Sequence, residues 1–208
     1  MNRELDNILK QLKTLKEQHL SLSIKCIKKA GGLLNTHLFI FAILKRSLDI
    51  VDAFTYSVEK FNLNVQVPIL RLEIDNCLLL KLGGILSQQG KDILQEVYND
   101  NFEIKKFKYN GKNLSENKLA ELISEEHESF KELYKFTCKA VHFTRFNMKS
   151  CVSSIGDMKL KINMAIGNKD KSRDILINAA SFINVSKILF NMIEKFLSET
   201  KGSLISYL

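Results

Sequence analysis

The sequence predicts an all-α protein, an antiparallel bundle of five or six helices with two basic excursions that are not helical. Its 208 residues include one proline and nine glycines. This scarcity favours long helices over a sandwich or barrel, which needs many turns. The hydrophobic content of 45% and the charged content of 26% suit a globular chain with a real core. Because neither an internal repeat nor a low-complexity linker is visible, residues 1–208 are predicted to form one domain.

Apolar residues spaced three and four positions apart predict the first two helices. Residues 2–30 form an amphipathic helix close to a coiled-coil heptad, and His19 falls on its apolar stripe. A histidine in that place is more often a core residue than a ligand. Thr36 can cap the second helix, which runs to about Phe61 and carries Arg46 among its charged residues.

The third helix is predicted to begin at Pro68, because proline is tolerated in a first helical turn, and to end near Leu82 before a glycine pair. It is apolar almost all round, which is typical of a central helix. Its polar positions are Arg71, Glu73, Asp75 and Asn76. Arg71 and Asp75 are one turn apart, so they can form an ion pair that orders the core, or they can line a functional cleft.

A short helix over about 91–98 leads to the first basic excursion, residues 101–114. Its Asn-Gly dipeptide predicts a loop or a small hairpin. Basic and aromatic residues alternate in it, a pattern that suits contact with nucleic acid by charge and stacking. The candidate residues are Lys105, Lys106, Lys108 and Tyr109. The alternative is a flap whose aromatic side chains pin it to the body of the protein.

The sequence places most of its chemically versatile groups on a helix predicted over about 124–145. Ser115 opens the helical region before it, and a second basic excursion follows over 146–169, with an extended segment over 158–166. A last helix is predicted from Asp170 or Ser172 to about Thr200.

His142 is the strongest candidate for catalysis, because a histidine near the C-terminal end of a helix is favoured in its charged form by the helix dipole. With Lys139 beside it, the imidazole can move a proton while the cation stabilises charge in a metal-free phosphodiester cleavage. Arg145 can add a phosphate contact. The alternative is a structural histidine that hydrogen-bonds a carboxylate or a backbone carbonyl.

The net charge of +8 is concentrated in the first helix and in the two excursions. Such a field can attract RNA or another anionic surface, or it can reflect lysine-rich loops that keep the protein soluble. The four cysteines form no C-x-x-C pair and are expected to be reduced thiols of a cytoplasmic protein. Neither a signal peptide nor a membrane-spanning run is visible, so no membrane association is expected.

Other chemistries lack their sequence patterns. The chain has no P-loop, no G-x-G-x-x-G, no H-E-x-x-H and no nucleophile elbow. It also lacks the Glu-x-x-His pairs of di-iron bundles. We therefore expect neither a metal site nor a cofactor.

Three blocks of the sequence resemble a group of uncharacterised bacterial helical proteins, which is in turn similar to HEPN-type bundles. The blocks are Arg46-Ser-Leu-Asp49, Pro68-Ile-Leu-Arg-Leu-Glu-Ile-Asp75, and Gly111-Lys-Asn-Leu followed by Leu133-Tyr-Lys-Phe-Thr-Cys-Lys-Ala-Val-His142-Phe. In that group a helix with Arg-x-x-x-Asp precedes a helix that runs from Tyr to His. Many HEPN proteins are RNases or antitoxin-bound partners in defence and toxin systems. The resemblance covers residues 36–145, and it implies a homodimer with a site across the interface.

The sequence departs from HEPN nucleases at one position that matters for catalysis. Those enzymes place an arginine four to six residues before the histidine, whereas no arginine occupies that window before His142 here, and only Lys135 and Lys139 are near it. Lysine keeps the charge but lacks the bidentate fork that grips phosphate.

Two functions follow as hypotheses. In the first, the protein is a metal-independent RNase whose polar pocket unites a set of residues from three helices. That set is His142, Arg46, Asp49, Arg71, Asp75 and Lys139. In the second, the protein is a non-catalytic module for a partner protein or nucleic acid, and the same residues form a structural network. A small-molecule pocket inside the bundle is a third class.

Overall fold

The computed structural model describes residues 2–29, 35–99, 101–141, 152–156, 159–162 and 172–199. Within these ranges it contains seven α-helices. They are α1 (Asn2–Lys29), α2 (Asn35–Glu59), α3 (Leu63–Gln88), α4 (Ile93–Val97), α5 (Glu116–Ser124), α6 (Phe130–Val141) and α7 (Ser172–Glu199). A short 3₁₀ helix (Ile104–Lys106) and two hairpins complete the described parts. The hairpins are β1 (Lys108–Tyr109) with β2 (Lys112–Asn113), and β3 (Val152–Gly156) with β4 (Lys159–Ile162). The predicted all-α bundle is confirmed.

α3 is the central helix of the bundle. It packs against α2 and α7 on one side and against α5 and α6 on the other. Apolar residues are buried around most of its circumference, as predicted from its composition. The core beside it includes a stacked pair, Phe54 of α2 and Phe182 of α7, whose ring centroids are 4.0 Å apart.

The contacts between helices give their directions. Ser47 of α2 contacts Glu73 of α3, while Phe39, earlier in α2, lies against Gly83, later in α3. α2 and α3 are therefore antiparallel, and α1 and α2 are related in the same way. α7 instead runs parallel to α3, because its residues contact successively later positions of that helix.

α3 is longer than predicted at both ends, and the predicted break at the glycine pair is wrong. A Cβ atom on Gly83 would lie 2.9 Å from Cε1 of the Phe39 ring. The residue is therefore glycine because α2 packs closely there, and the helix continues to Gln88. At the other end the helix begins at Leu63, so Pro68 lies inside it and removes one backbone hydrogen bond.

The predicted helix over 124–145 is interrupted near its start. α5 ends at Ser124, and α6 begins only at Phe130. Ser129 has a left-handed backbone with φ of 68°, which no α-helix accommodates. The Ser124 hydroxyl accepts a hydrogen bond from the backbone N–H of Lys131 at 2.8 Å and so fixes the turn. The predicted end of the helix lies outside the described residues.

Two local predictions are confirmed by backbone geometry. Asn110 and Gly111 have φ angles of 51° and 77°, as a two-residue hairpin turn requires. The Ser115 hydroxyl accepts a hydrogen bond from the backbone N–H of Lys118 at 3.1 Å and caps α5. β3 and β4 show that part of the second excursion is a hairpin, in line with the predicted extended segment.

α7 is the one helix among the described ranges that is long and apolar enough to cross a membrane. Half of its apolar window is buried against the bundle. A core helix of this length passes the same test by composition, so α7 is weak evidence for a membrane span.

Candidate functional site

A fully buried carboxyl group, Glu73 of α3, is the centre of a polar network inside the bundle. Its Oε1 is hydrogen-bonded to the hydroxyls of Ser47 on α2 and Ser186 on α7, at 2.7 and 2.9 Å. The side-chain amide of Asn76 donates to its Oε2 at 3.0 Å. Ser47 also lies 2.7 Å from Nε2 of His19 on α1. The network therefore joins the four long helices of the bundle.

The hydrogen-bond partners of His19 restrict where its protons lie. Nδ1 is 2.7 Å from the carbonyl of Leu15, which only accepts, so Nδ1 carries a proton. The single hydroxyl proton of Ser47 then points either to His19 or to Glu73. In the first case Glu73 is protonated and His19 is neutral; in the second, the two form an ion pair. Both arrangements hold the same number of protons.

Burial favours the neutral one of these two arrangements. Removal from water raises the pKa of Glu73 above its usual range, although the hydrogen bonds from its neighbours act to lower it. Burial also lowers the pKa of His19. Both shifts favour the neutral arrangement, in which the acid donates to Ser47 and Ser47 donates to the imidazole. Since His19, Ser47 and Glu73 are at most 1% exposed, a dissolved substrate cannot reach the chain of hydrogen bonds.

Arg46 of α2 reaches this network from its edge. Its NH1 donates to Oδ1 of Asn76 at 2.8 Å, which turns the amide NH₂ of Asn76 toward Glu73. Burial lowers the pKa of Arg46. Arg46 thus orders the amide that satisfies the buried acid.

Arg71 of α3 belongs to a different cluster. Its guanidinium forms ion pairs with Asp75, one turn along, and with Glu116 at 2.7 Å, at the start of α5. It also lies over the ring of Tyr134 on α6, 4.7 Å from the centroid, while the Tyr134 hydroxyl donates to Glu116 at 3.1 Å. Burial raises the pKa of that phenol. The predicted Arg71–Asp75 pair is confirmed.

The predicted pocket around Arg46, Asp49, Arg71 and Asp75 is not assembled. Arg71 and Glu73 lie about 160° apart around the axis of α3, at 100° per residue. Arg46 meets the Glu73 side of the helix, whereas Arg71 meets the side that faces α5 and α6. Asp49 pairs with Lys45 at 2.5 Å on the exposed face of α2. These four residues therefore divide among three separate places.

Of the remaining candidates for catalysis, the structure describes Lys139 of α6. It is exposed, in the last turn of the helix. His142 and Arg145 lie outside the described residues. Their predicted roles stay predictions.

The hairpin over 101–114 is held by its aromatic residues, as the flap alternative predicted. Phe107 is buried beside Phe102, with ring centroids 5.9 Å apart. Lys105 and Lys106 are exposed, and both pair with Glu103, at 2.7 and 3.6 Å.

The two other candidates in the hairpin differ in exposure. Lys108 is exposed, whereas Tyr109 is half-buried and lines a cleft beside α3. The predicted contacts of these residues with nucleic acid stay predictions.

The described residues contain no group of three or more histidine, cysteine or acidic side chains placed to hold a metal ion. Their three cysteines are free, with Cys26 and Cys77 buried and Cys138 half-buried. Burial raises the pKa of the Cys77 thiol well above its usual range, so this thiol is unreactive.

The sequence did not reveal that Ser47 and Ser186 complete the network. Their only signal is position, because each small polar residue falls on the buried stripe of an amphipathic helix. A buried acid such as Glu73 requires donors of that kind. No protein-family model matches the chain, and no curated protein or solved structure shows significant similarity to it. Only the contacts within the structure therefore identify the Glu73 network.

Proposed function

We propose that this protein is a non-catalytic interaction module that associates through α1 with a second copy of itself. One observation carries the proposal. Leu20, Ile24 and Ile27 are 58%, 52% and 57% exposed and follow one another along the same side of α1. Single exposed apolar residues are ordinary, but a continuous stripe indicates an interaction surface.

The stripe suits pairing with a copy of itself. Its spacing of four and three residues places all three side chains within one narrow band of the helix. In an antiparallel pair of α1 helices, Leu20 meets Ile27 of the other copy, and the two Ile24 side chains meet near the two-fold axis. Three side chains per copy make a small interface, so we expect a weak dimer that forms only at high protein concentration.

The contacts of Arg46 and Arg71 within the bundle favour an interaction module over an enzyme that cleaves RNA. Two carboxylates and an aromatic ring occupy the guanidinium of Arg71. Arg46 is used to orient Asn76. Gripping a phosphate with either residue would require breaking contacts that join helices of the bundle.

Sedimentation velocity over a range of protein concentrations tests the proposal. We expect reversible dimerisation of the wild type and a monomer for Ile24→Asp. The matched control is Ile177→Asp, because Ile177 on α7 has a similar exposure of 54% and lies outside the stripe. A wild type that stays monomeric, or an equal loss of association in both variants, would rule out this surface.

Metal-independent cleavage of RNA is the second candidate. It is favoured by the net charge of +8 and by the exposed Lys139 in the last turn of α6, three residues before His142. Incubation of labelled total RNA with the purified protein in EDTA tests it. Cleavage that His142→Ala abolishes would establish a metal-free RNase. Inert wild type, or equal cleavage by both proteins, would exclude it.

A further inference from the structure

A second surface feature, a cleft of about 260 Å³, lies where α3, α5 and α7 meet. Its lining is mixed polar and apolar, and the apolar part, which forms the floor, includes Leu122 of α5 with Met192 and Phe196 of α7. Gly84 of α3 also belongs to the floor, where the absence of a side chain keeps the cleft open. A Cβ atom at Gly84 would meet only the Phe196 ring, at an ordinary 3.8 Å.

The rim of the cleft is charged, and its charges are unequally engaged. Lys195 donates to both carboxylate oxygens of Glu126 at 2.8 Å, so these two groups neutralise each other. Lys81 of α3 stands 4.0 Å from the same carboxylate, beyond hydrogen-bond distance. Among the described residues its ammonium has no hydrogen-bond partner. Glu199, the other acidic residue of the lining, is exposed in the last position of α7.

Lys81 is also the most sheltered charge of this rim. Its side chain is 28% exposed, against 52% for Lys195 and 49% for Glu126. A partly sheltered cation above an apolar floor attracts an anion more strongly than a fully hydrated one does. The adjacent apolar floor then favours an anion that carries a hydrocarbon body.

We propose that this cleft binds a small amphipathic carboxylate, with its carboxylate on Lys81 and its hydrocarbon chain on the floor formed by Leu122, Met192 and Phe196. The volume fits a short acyl chain and is below that of typical pockets for drug-sized ligands. The site is separate from the α1 stripe, so ligand binding there does not depend on self-association.

Methyl NMR of the protein labelled with [¹³C-methyl]methionine tests the proposal with octanoate as the probe. The chain has five methionines, and Met192 is the one that lines the cleft among the described residues. Met192→Leu assigns its signal. We expect octanoate to shift this signal saturably, and we expect octanol and octylammonium, which share the chain but lack the carboxylate, to bind at least about tenfold more weakly.

Three variants make the test specific to the cleft. Lys81→Gln should weaken octanoate binding about tenfold, as expected for loss of one charge-assisted hydrogen bond. Lys187→Gln, on α7 outside this cleft, should bind as the wild type does. Gly84→Leu should block binding by filling the floor, with an unchanged circular dichroism spectrum. An unperturbed Met192 signal, equal binding of octanol, or equal affinities of the two lysine variants would overturn the proposal.

Discussion

The two sides of α3 accommodate an ionisable residue in different ways. Glu73 faces α1, α2 and α7, where it is sealed from water and surrounded by hydroxyl and amide groups. Arg71 faces α5 and α6, where its side chain is 12% exposed and two carboxylates balance its charge. One helix thus carries two different solutions to a buried polar group. Where water is absent the charge is removed, and where water is near the charge is paired.

This contrast predicts different dependence on conditions. The Glu73 network is uncharged and buried, so it should respond to pH and to loss of any hydrogen-bonding group, but weakly to salt. The Arg71 cluster consists of ions near the surface, so salt should screen it. Neither cluster is a free set of catalytic groups.

The largest expected effect is on the buried side. Glu73→Ala removes the acid and leaves the hydroxyls of Ser47 and Ser186 and the amide of Asn76 without their partner. We expect the free energy of unfolding to fall by about 3–5 kcal/mol, from unsatisfied polar groups and the cavity. Urea unfolding monitored by circular dichroism measures it.

Glu73→Gln is the matched control for this substitution. A glutamine amide resembles a protonated glutamate in shape. Its NH₂ donates to Ser47 and, once the Ser186 hydroxyl rotates, also to Ser186, while its carbonyl accepts from Asn76. We expect a loss of less than about 1.5 kcal/mol. A loss as large as that of the alanine variant would contradict a neutral Glu73.

The stability of the protein should also depend on pH through Glu73. Burial raises the pKa of Glu73 above its ordinary 4.5. A raised folded-state pKa contributes stability that is fully present below the unfolded-state pKa and is lost as pH rises through the folded-state pKa. Relative to Glu73→Gln, the wild type should therefore lose stability from about pH 4.5 upward, by at most about 1.4 kcal/mol per pH unit. Urea unfolding of both proteins across this range measures the difference, and a constant difference would contradict the prediction.

His19 contributes with the opposite sign. Burial lowers its pKa below the ordinary 6.5, so its contribution is present above that pH and is lost as pH falls. Between the two ordinary pKa values the slopes of Glu73 and His19 oppose each other. The wild type should thus show a flatter stability profile in that window than Glu73→Gln, in which only the histidine slope is left.

The helices, the Ser115 cap of α5 and the Arg71–Asp75 pair were predictable because each depends on residues close in sequence. The predicted cap at Thr36 is wrong, because α2 begins at Asn35 and so includes Thr36. The apolar period fixes a helix, and a separation of four residues places two side chains on one face. The Glu73 network was not predictable in this way. Its partners Ser47 and Ser186 lie 26 and 113 residues away, and only the packing of α2 and α7 on α3 brings them together.

Two errors in the predicted boundaries have the same origin. Glycine at position 83 suggested a break, but the residue accommodates the Phe39 ring of another helix. The start of α6 was placed too early because the left-handed backbone at Ser129 has no signal in the apolar period. Local propensity therefore failed where a tertiary contact or a turn decided the structure.

The smallest effect is expected on the exposed side of the comparison. Arg71→Met should lower the free energy of unfolding by about 1–2 kcal/mol, because it leaves Asp75 and Glu116 without their cation while both stay hydrated. A double-mutant cycle with Glu116→Gln isolates one ion pair, for which we expect a coupling of about 0.5–1 kcal/mol at low salt. Urea unfolding of the four proteins at low and high salt measures it. The coupling should shrink in high salt, whereas the loss in Glu73→Ala should not. An Arg71–Glu116 coupling that persists unchanged would mean that this cluster is as sealed from water as the Glu73 network, and the contrast between the two sides of α3 would then be wrong.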